Sequence, residues 1–113
     1  MLVEISPVRA SIYRVDATRV YNTFRFDLAN RSRDRAAVIF SIEQLPTATL
    51  AIPQNPVAVA AGQTARGEFE ISRPLSAAAE EVDHFTIVAS PVGGGAADRF
   101  PMTFLSPAQR KSP

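Results

Sequence analysis

Apolar and polar side chains alternate through residues 20–32, VYNTFRFDLANRS, where Phe24, Phe26 and Leu28 share one face and Thr23, Arg25 and Asp27 the other. A period of two predicts a β-strand with one dry and one wet face. Such a strand buries its phenylalanines only if further strands form the opposite wall, and the rest of the chain reads as a supply of them. Residues 36–44 place Val38, Phe40 and Ile42 opposite Ala37, Ser41 and Glu43. Ile39 breaks that alternation, as a strand covered on both faces or a tolerated surface isoleucine would. Residues 64–72 set Phe69 and Ile71 against Arg66, Glu68 and Glu70, and residues 83–90 set Phe85, Ile87 and Ala89 against His84, Thr86 and Val88. Shorter extended pieces are predicted at 2–6, 12–15, 48–52 and 57–59.

The last strand, 99–105, carries Phe100, Met102 and Phe104 on one face with Pro101 between them. Proline has no N–H for a ladder, so this strand is expected at an edge or a bulge. A face of this kind can be donated to a partner's groove, but Pro101 interrupts the donor pattern, and core packing is the stronger expectation.

Turn chemistry punctuates these runs. Asp16-Ala17-Thr18-Arg19 is a polar turn in which Asp16 is expected to bond backbone amides ahead of it. Arg31-Ser32-Arg33-Asp34-Arg35 is a charged loop, Pro46, Pro53 and Pro56 end extended segments, and Gly62 can supply a positive φ for a tight reversal. Residues 75–81, LSAAAEE, have helical character over about two turns, too short to persist without tertiary contacts, and read as a crossover. Pro91 to Ala97 contains three consecutive glycines and reads as a hairpin loop. Together these signals predict an all-β, immunoglobulin-like sandwich of seven to eight antiparallel strands without a disulfide, spanning residues 1–106, followed by a flexible tail at 107–113. An antibody-type domain is excluded, because there is no cysteine pair, no tryptophan, and no tyrosine near the start of the strand at Asp83. A closed barrel has a similar strand count.

Composition narrows the chemistry. A chain of 113 residues forms one domain with a core large enough to stand without staples. The absence of cysteine removes thiolate nucleophiles, Cys-ligated zinc and iron–sulfur ligation from this segment. A formal charge of +1 falls far short of a nucleic-acid-binding footprint, so no nucleic acid partner is expected. No apolar run is long enough to span a bilayer, and the first residues lack the basic and apolar regions of a signal peptide. If the domain works outside the cytoplasm, an upstream segment is expected to carry it there.

His84 is the sole histidine, so neither a two-histidine metal site nor a serine–histidine triad follows. A His84/Met102 copper site is disfavoured by the alternation, which turns Met102 inward among phenylalanines, where methionine is ordinary filling. Glu80, Glu81 and Asp83 lack the spacing of a calcium loop. Gly93, Gly94 and Gly95 precede no lysine or helix start and do not form a phosphate loop. No catalytic residue, cofactor or metal is expected in this segment. The candidates left for a partner contact are the loop arginines Arg31, Arg33 and Arg35, since loops and arginines dominate interfaces.

The order of signals resembles one known family. SIYRVDATRVYNTFRFDLANRS over residues 11–32, FSIEQLP over 40–46 and VAVAAGQTARGEFEI over 57–71 resemble successive elements of the immunoglobulin-like domain at the C-terminus of FixG-type proteins, also called CcoG. DRFPMTFLSP, residues 98–107, resembles the family's closing strand more loosely. The resemblance implies a domain of a polytopic membrane protein that carries two ferredoxin-type clusters and is associated with copper supply to, or maturation of, cbb-type cytochrome oxidase. This sequence has neither the membrane helices nor the cysteine runs. The resemblance therefore implies a non-catalytic periplasmic accessory domain, tethered through an upstream segment and contacting a protein partner. The alternative reading is a stand-alone adhesive or chaperone-like module acting by strand addition through an exposed last strand.

Overall fold

The computed structural model describes residues 1–8, 13–77 and 81–107. Among these, nine strands form two antiparallel sheets. The first sheet holds β1 (Leu2–Pro7), β2 (Arg14–Asp16), β3 (Arg19–Ala29), β5 (Thr49–Ala51) and β7 (Thr64–Pro74). Its order is β1-β3-β7-β5, with β2 beside β1 on the same side of β3. The second sheet holds β4 (Ala36–Glu43), β6 (Val57–Val59), β8 (Val82–Pro91) and β9 (Asp98–Leu105), in the order β6-β4-β8-β9. The predicted fold class holds, with the short pieces β2, β5 and β6 raising the strand count to nine. No strand of one sheet pairs with a strand of the other, so the molecule is a sandwich and not a closed barrel.

The alternation seen in the sequence becomes the core. Phe24, Phe26 and Leu28 of β3 and Phe69 and Ile71 of β7 face Val38 and Phe40 of β4 and Phe85 and Ile87 of β8. The rings interlock across the sheets: Phe26 and Phe40 lie 5.4 Å apart between centroids, Phe40 and Phe69 5.7 Å, and Phe24 and Phe85 5.9 Å. Ile39 is 42% exposed and is a surface isoleucine. Val88 departs from the pattern, being buried although it points away from the core. On the same outer face its cross-strand neighbour Arg99 of β9 pairs with Glu43 of β4, on the far side of β8. Phe104 is fully buried, while Phe100 and Met102 are half-buried against the core, so the aromatic face of β9 is part of the domain's own interior.

Three local expectations change. Asp16 bonds no turn amide; its carboxylate lies 3.7 Å from Arg14. β7 runs through Arg73 and Pro74, because the residues bonded to β3 are the odd-numbered ones, as Leu75 N–H to Thr18 O and Asn30 N–H to Gln63 O show, and Pro74 points its missing N–H the other way. The helical segment is a single 3₁₀ turn, Leu75–Ala77, with residues 78–80 outside the described part. Ile12 and the tail beyond residue 107 also lie outside it.

β9 sits at an edge, as Pro101 predicted. Ser106 N–H donates to Glu81 O and continues the β8–β9 register, so Arg99, Pro101, Thr103 and Leu105 turn their backbone groups outward. Pro101 has no donor there. Leu105 is taken by Asn22 of β3, whose Oδ1 accepts the Leu105 N–H at 2.8 Å and whose Nδ2 donates to the Leu105 carbonyl at 2.9 Å. One buried amide thus stands in for a missing strand and ties the two sheets together. Asn55 serves Phe40 of β4 in the same way, with both bonds at 2.9 Å.

Near the same end, Arg73 is 4% exposed, pairs with Asp83 of β8 and stacks 4.9 Å from the Phe104 ring centroid. A guanidinium cannot shed its charge, so its burial depends on that carboxylate. Asp83→Asn is expected to cost about 3–5 kcal/mol of unfolding free energy, read from urea midpoints, because it leaves a buried cation unpaired. At the opposite position in the core, a Cβ on Gly67 would meet Phe26 ring atoms at 2.7 and 2.9 Å. Gly67→Ala is expected to cost about 1–3 kcal/mol by the same measurement, since the Phe26 ring must leave its packed position against Phe40 and Phe69.

Candidate functional site

The β3–β4 loop is built around Asn30, which is 2% exposed. Its Nδ2 donates to Asp34 O at 2.8 Å and to Val59 O of β6 at 3.1 Å, while its Oδ1 accepts the Ser32 N–H at 3.0 Å and the Ser32 hydroxyl at 2.7 Å. The Asn30 N–H donates to Gln63 O in the neighbouring β6–β7 turn, where Gly62 takes a φ of 71°. An asparagine at the end of a strand can bond its own backbone two residues ahead and so close a loop locally. Burial of the amide then anchors that loop to the second sheet.

The result is a fixed loop that presents Arg31, Arg33 and Arg35 to solvent. Among the described residues, every other arginine is engaged. Arg14 pairs with Glu70, Arg25 with Glu68, Arg66 with Asp27, Arg73 with Asp83 and Arg99 with Glu43, and Arg19 bonds the Thr49 and Ser72 hydroxyls. The three loop arginines have no side-chain ion-pair or hydrogen-bonding partner among the described residues, and Asp34 between them bonds none of them through its carboxylate. Register places further features at the same end. Leu2, 50% exposed, pairs with Ala29, and Val92, 51% exposed, donates its N–H to Ala37 O. Arginines left free on a braced loop are suited to carboxylates or phosphates on another surface, because each guanidinium offers a planar fork of donors.

The other sequence candidates are not brought together. His84 is exposed on the outer face of β8, whereas Met102 is the cross-strand neighbour of the buried Phe85 and faces the core. Glu81 is exposed, Asp83 is committed to Arg73, and Glu80 lies outside the described residues. No group of three or more His, Cys, Asp or Glu side chains among the described residues could hold a metal ion. No helix of the described part is long and apolar enough to cross a membrane. Gly93, Gly94 and Gly95 all take positive φ in the β8–β9 hairpin, so the run serves chain reversal. What sequence reasoning missed is Asn30 itself. The signal was the Asn-Arg-Ser step at the end of an alternating strand.

No curated protein sequence matches the chain. Among solved structures, a FixG-related protein from Vibrio parahaemolyticus superposes with a TM-score of 0.81 at 10% identity, over 92% of this chain and 94% of that one. A protein from Archaeoglobus fulgidus superposes with a TM-score of 0.50 at 11% identity, over 96% and 98%. At such identities these likenesses speak for the fold alone. The family described as "IG-like fold at C-terminal of FixG, putative oxidoreductase" matches residues 1–107, and the chain therefore belongs to the immunoglobulin-like domains found at the C-terminus of FixG.

Proposed function

We propose that this domain is a non-catalytic accessory module of a FixG-like membrane iron–sulfur protein. It acts in the periplasm, tethered through an upstream segment, and mediates protein–protein contact in the assembly of cbb-type cytochrome oxidase or the copper handling that goes with it. The family assignment supports the setting. The observation that carries the mode of action is the set of unpartnered arginines: Arg31, Arg33 and Arg35 stand free on a loop whose backbone is pinned by a buried asparagine, while the arginines of the described strands are spent on internal partners. Such charges break no internal ion pair on meeting a partner, and they accelerate encounter with an acidic surface. The redox chemistry of the whole protein resides in parts other than this segment, which contains no cysteine.

Two measurements test the proposal. An immunoblot of fractionated cells, raised against this domain, is expected to show a membrane band several times heavier than 12.2 kDa; a soluble band near 12.2 kDa would refute the tether. Reversal of all three arginines to glutamate in the intact protein is expected to weaken partner capture roughly tenfold or more and to flatten its salt dependence. Unchanged capture would remove the arginine loop from the interface. Asn30→Ala, which strands two carbonyls, is expected to cost about 1–3 kcal/mol of stability and to shift the loop amides of residues 31–35 in an NMR spectrum.

A further inference from the structure

The two sheets do not protect their edges equally. β9 is interrupted at Pro101 and taken by Asn22 at Leu105, leaving only Arg99 and Thr103 outward, and β4 is closed by β6 and Asn55. β1 directs only the backbone groups of Val3 and Ile5 to its free edge while their side chains pack against the core, ends at Pro7 and carries one charge, Glu4, on its outer face. β7 is different. Its odd-numbered residues bond to β3, so its even-numbered residues direct N–H and C=O to the opposite edge. There β5 takes Ser72 and Glu70, opposite Thr49 and Ala51, and then stops.

The register explains the stop. Continued by two residues, it would set Pro53 opposite Glu68, at a position where the added strand must donate an N–H. Proline has none, and the chain leaves the edge. The backbone donors and acceptors of Glu68 and Arg66 are left without a partner among the described residues. A groove of about 330 Å³ runs beside them, with Phe26, Ile52, Val57 and Ala65 on its apolar side and Gln54, Arg66 and Glu68 on its polar side. Phe26 reaches it because Gly67 carries no side chain, as its ring occupies the space of the missing Cβ.

We infer that the Arg66–Glu68 edge of β7 is an acceptor for an extended peptide segment, added antiparallel in the lane that β5 vacates, with a basic, an apolar and an acidic residue in that order. The pattern follows from what each position would face. Glu68 and Arg66 point outward with opposite signs; each is ion-paired with β3, Glu68 with Arg25 at 3.8 Å and Arg66 with Asp27 at 2.8 Å, yet their side chains are 55% and 79% exposed and accessible to a second partner. A strand entering antiparallel meets Glu68 first and Arg66 last, so complementarity asks for a base and then an acid. The residue between them faces Gly67 and the apolar side of the groove, formed by Phe26, Ile52 and Val57. Main-chain bonds to Glu68 and Arg66 supply the attachment and the alternate side chains supply the choice. This site is separate from the arginine loop, and its failure would leave the proposed accessory role untouched.

The test is an NMR titration of the full chain with the capped peptide Val-Lys-Leu-Glu-Val. Saturable shifts are expected at the Arg66 and Glu68 amides and at the Val57 and Ile52 methyls. The charge-swapped peptide Val-Glu-Leu-Lys-Val is expected to bind roughly fivefold more weakly or worse, and the double variant R66E/E68R to invert that preference. Methylation of the peptide's Lys and Glu amides is expected to weaken binding roughly tenfold, since those two N–H groups face β7. The inference is overturned if no saturable shift occurs at millimolar peptide, if the N-methylated peptide binds equally well, or if the same amides shift with protein concentration alone, which would assign the edge to a second copy of the chain.

Discussion

The interlocked phenylalanines between β3, β7, β4 and β8 are the contact on which the rest of this molecule depends. A two-sheet domain without a disulfide is held together by what its inner faces bury, and here the rings of Phe24, Phe26, Phe40, Phe69 and Phe85 supply most of that wall. Offset and edge contacts at 5.4 to 5.9 Å fix the sheets in one relative position. Gly67 belongs to the same device, because the Phe26 ring fits only where a side chain has been omitted. The polar devices act within the geometry that this packing sets.

The sandwich leaves strand edges, and each exposed ladder is a hazard or an opportunity. Much of the polar burial is a response to that. Asn22 and Asn55 place side-chain amides where a neighbouring strand would have bonded, and Pro101 removes a donor at an outward position. An amide side chain carries one donor group and one acceptor, so it can satisfy a backbone N–H and C=O together. Pro53 has the converse effect on β7, ending β5 before the edge is covered.

Charge is divided along similar lines. The outer face of the first sheet is a ladder of opposite charges, Arg14 with Glu70, Arg25 with Glu68 and Arg66 with Asp27, which is worth little to stability in water but leaves that face nearly neutral. Arg73 and Asp83 are a different case, with the cation buried and held against the Phe104 ring. Against this background, and among the described residues, the loop of Arg31, Arg33 and Arg35 is where arginine charge stands without an internal partner, and Asn30 braces the loop that carries it.

By itself, the sequence determined the strands, the faces they bury and the sandwich class, because a period of two is a local property that backbone geometry converts directly into sidedness. Phe24, Phe26, Leu28, Phe69 and Ile71 could be read as core from their spacing, and Pro101 could be read as an edge from its missing donor. The tertiary structure decided what depends on pairing between distant residues. That Asn22 would bond Leu105, that Arg73 would be buried against Asp83, that Arg99 would pair with Glu43, and that Pro53 would fall opposite Glu68 all follow from strand order and register. Those are set by how two sheets pack their phenylalanines, a sum over the whole chain that no local pattern contains.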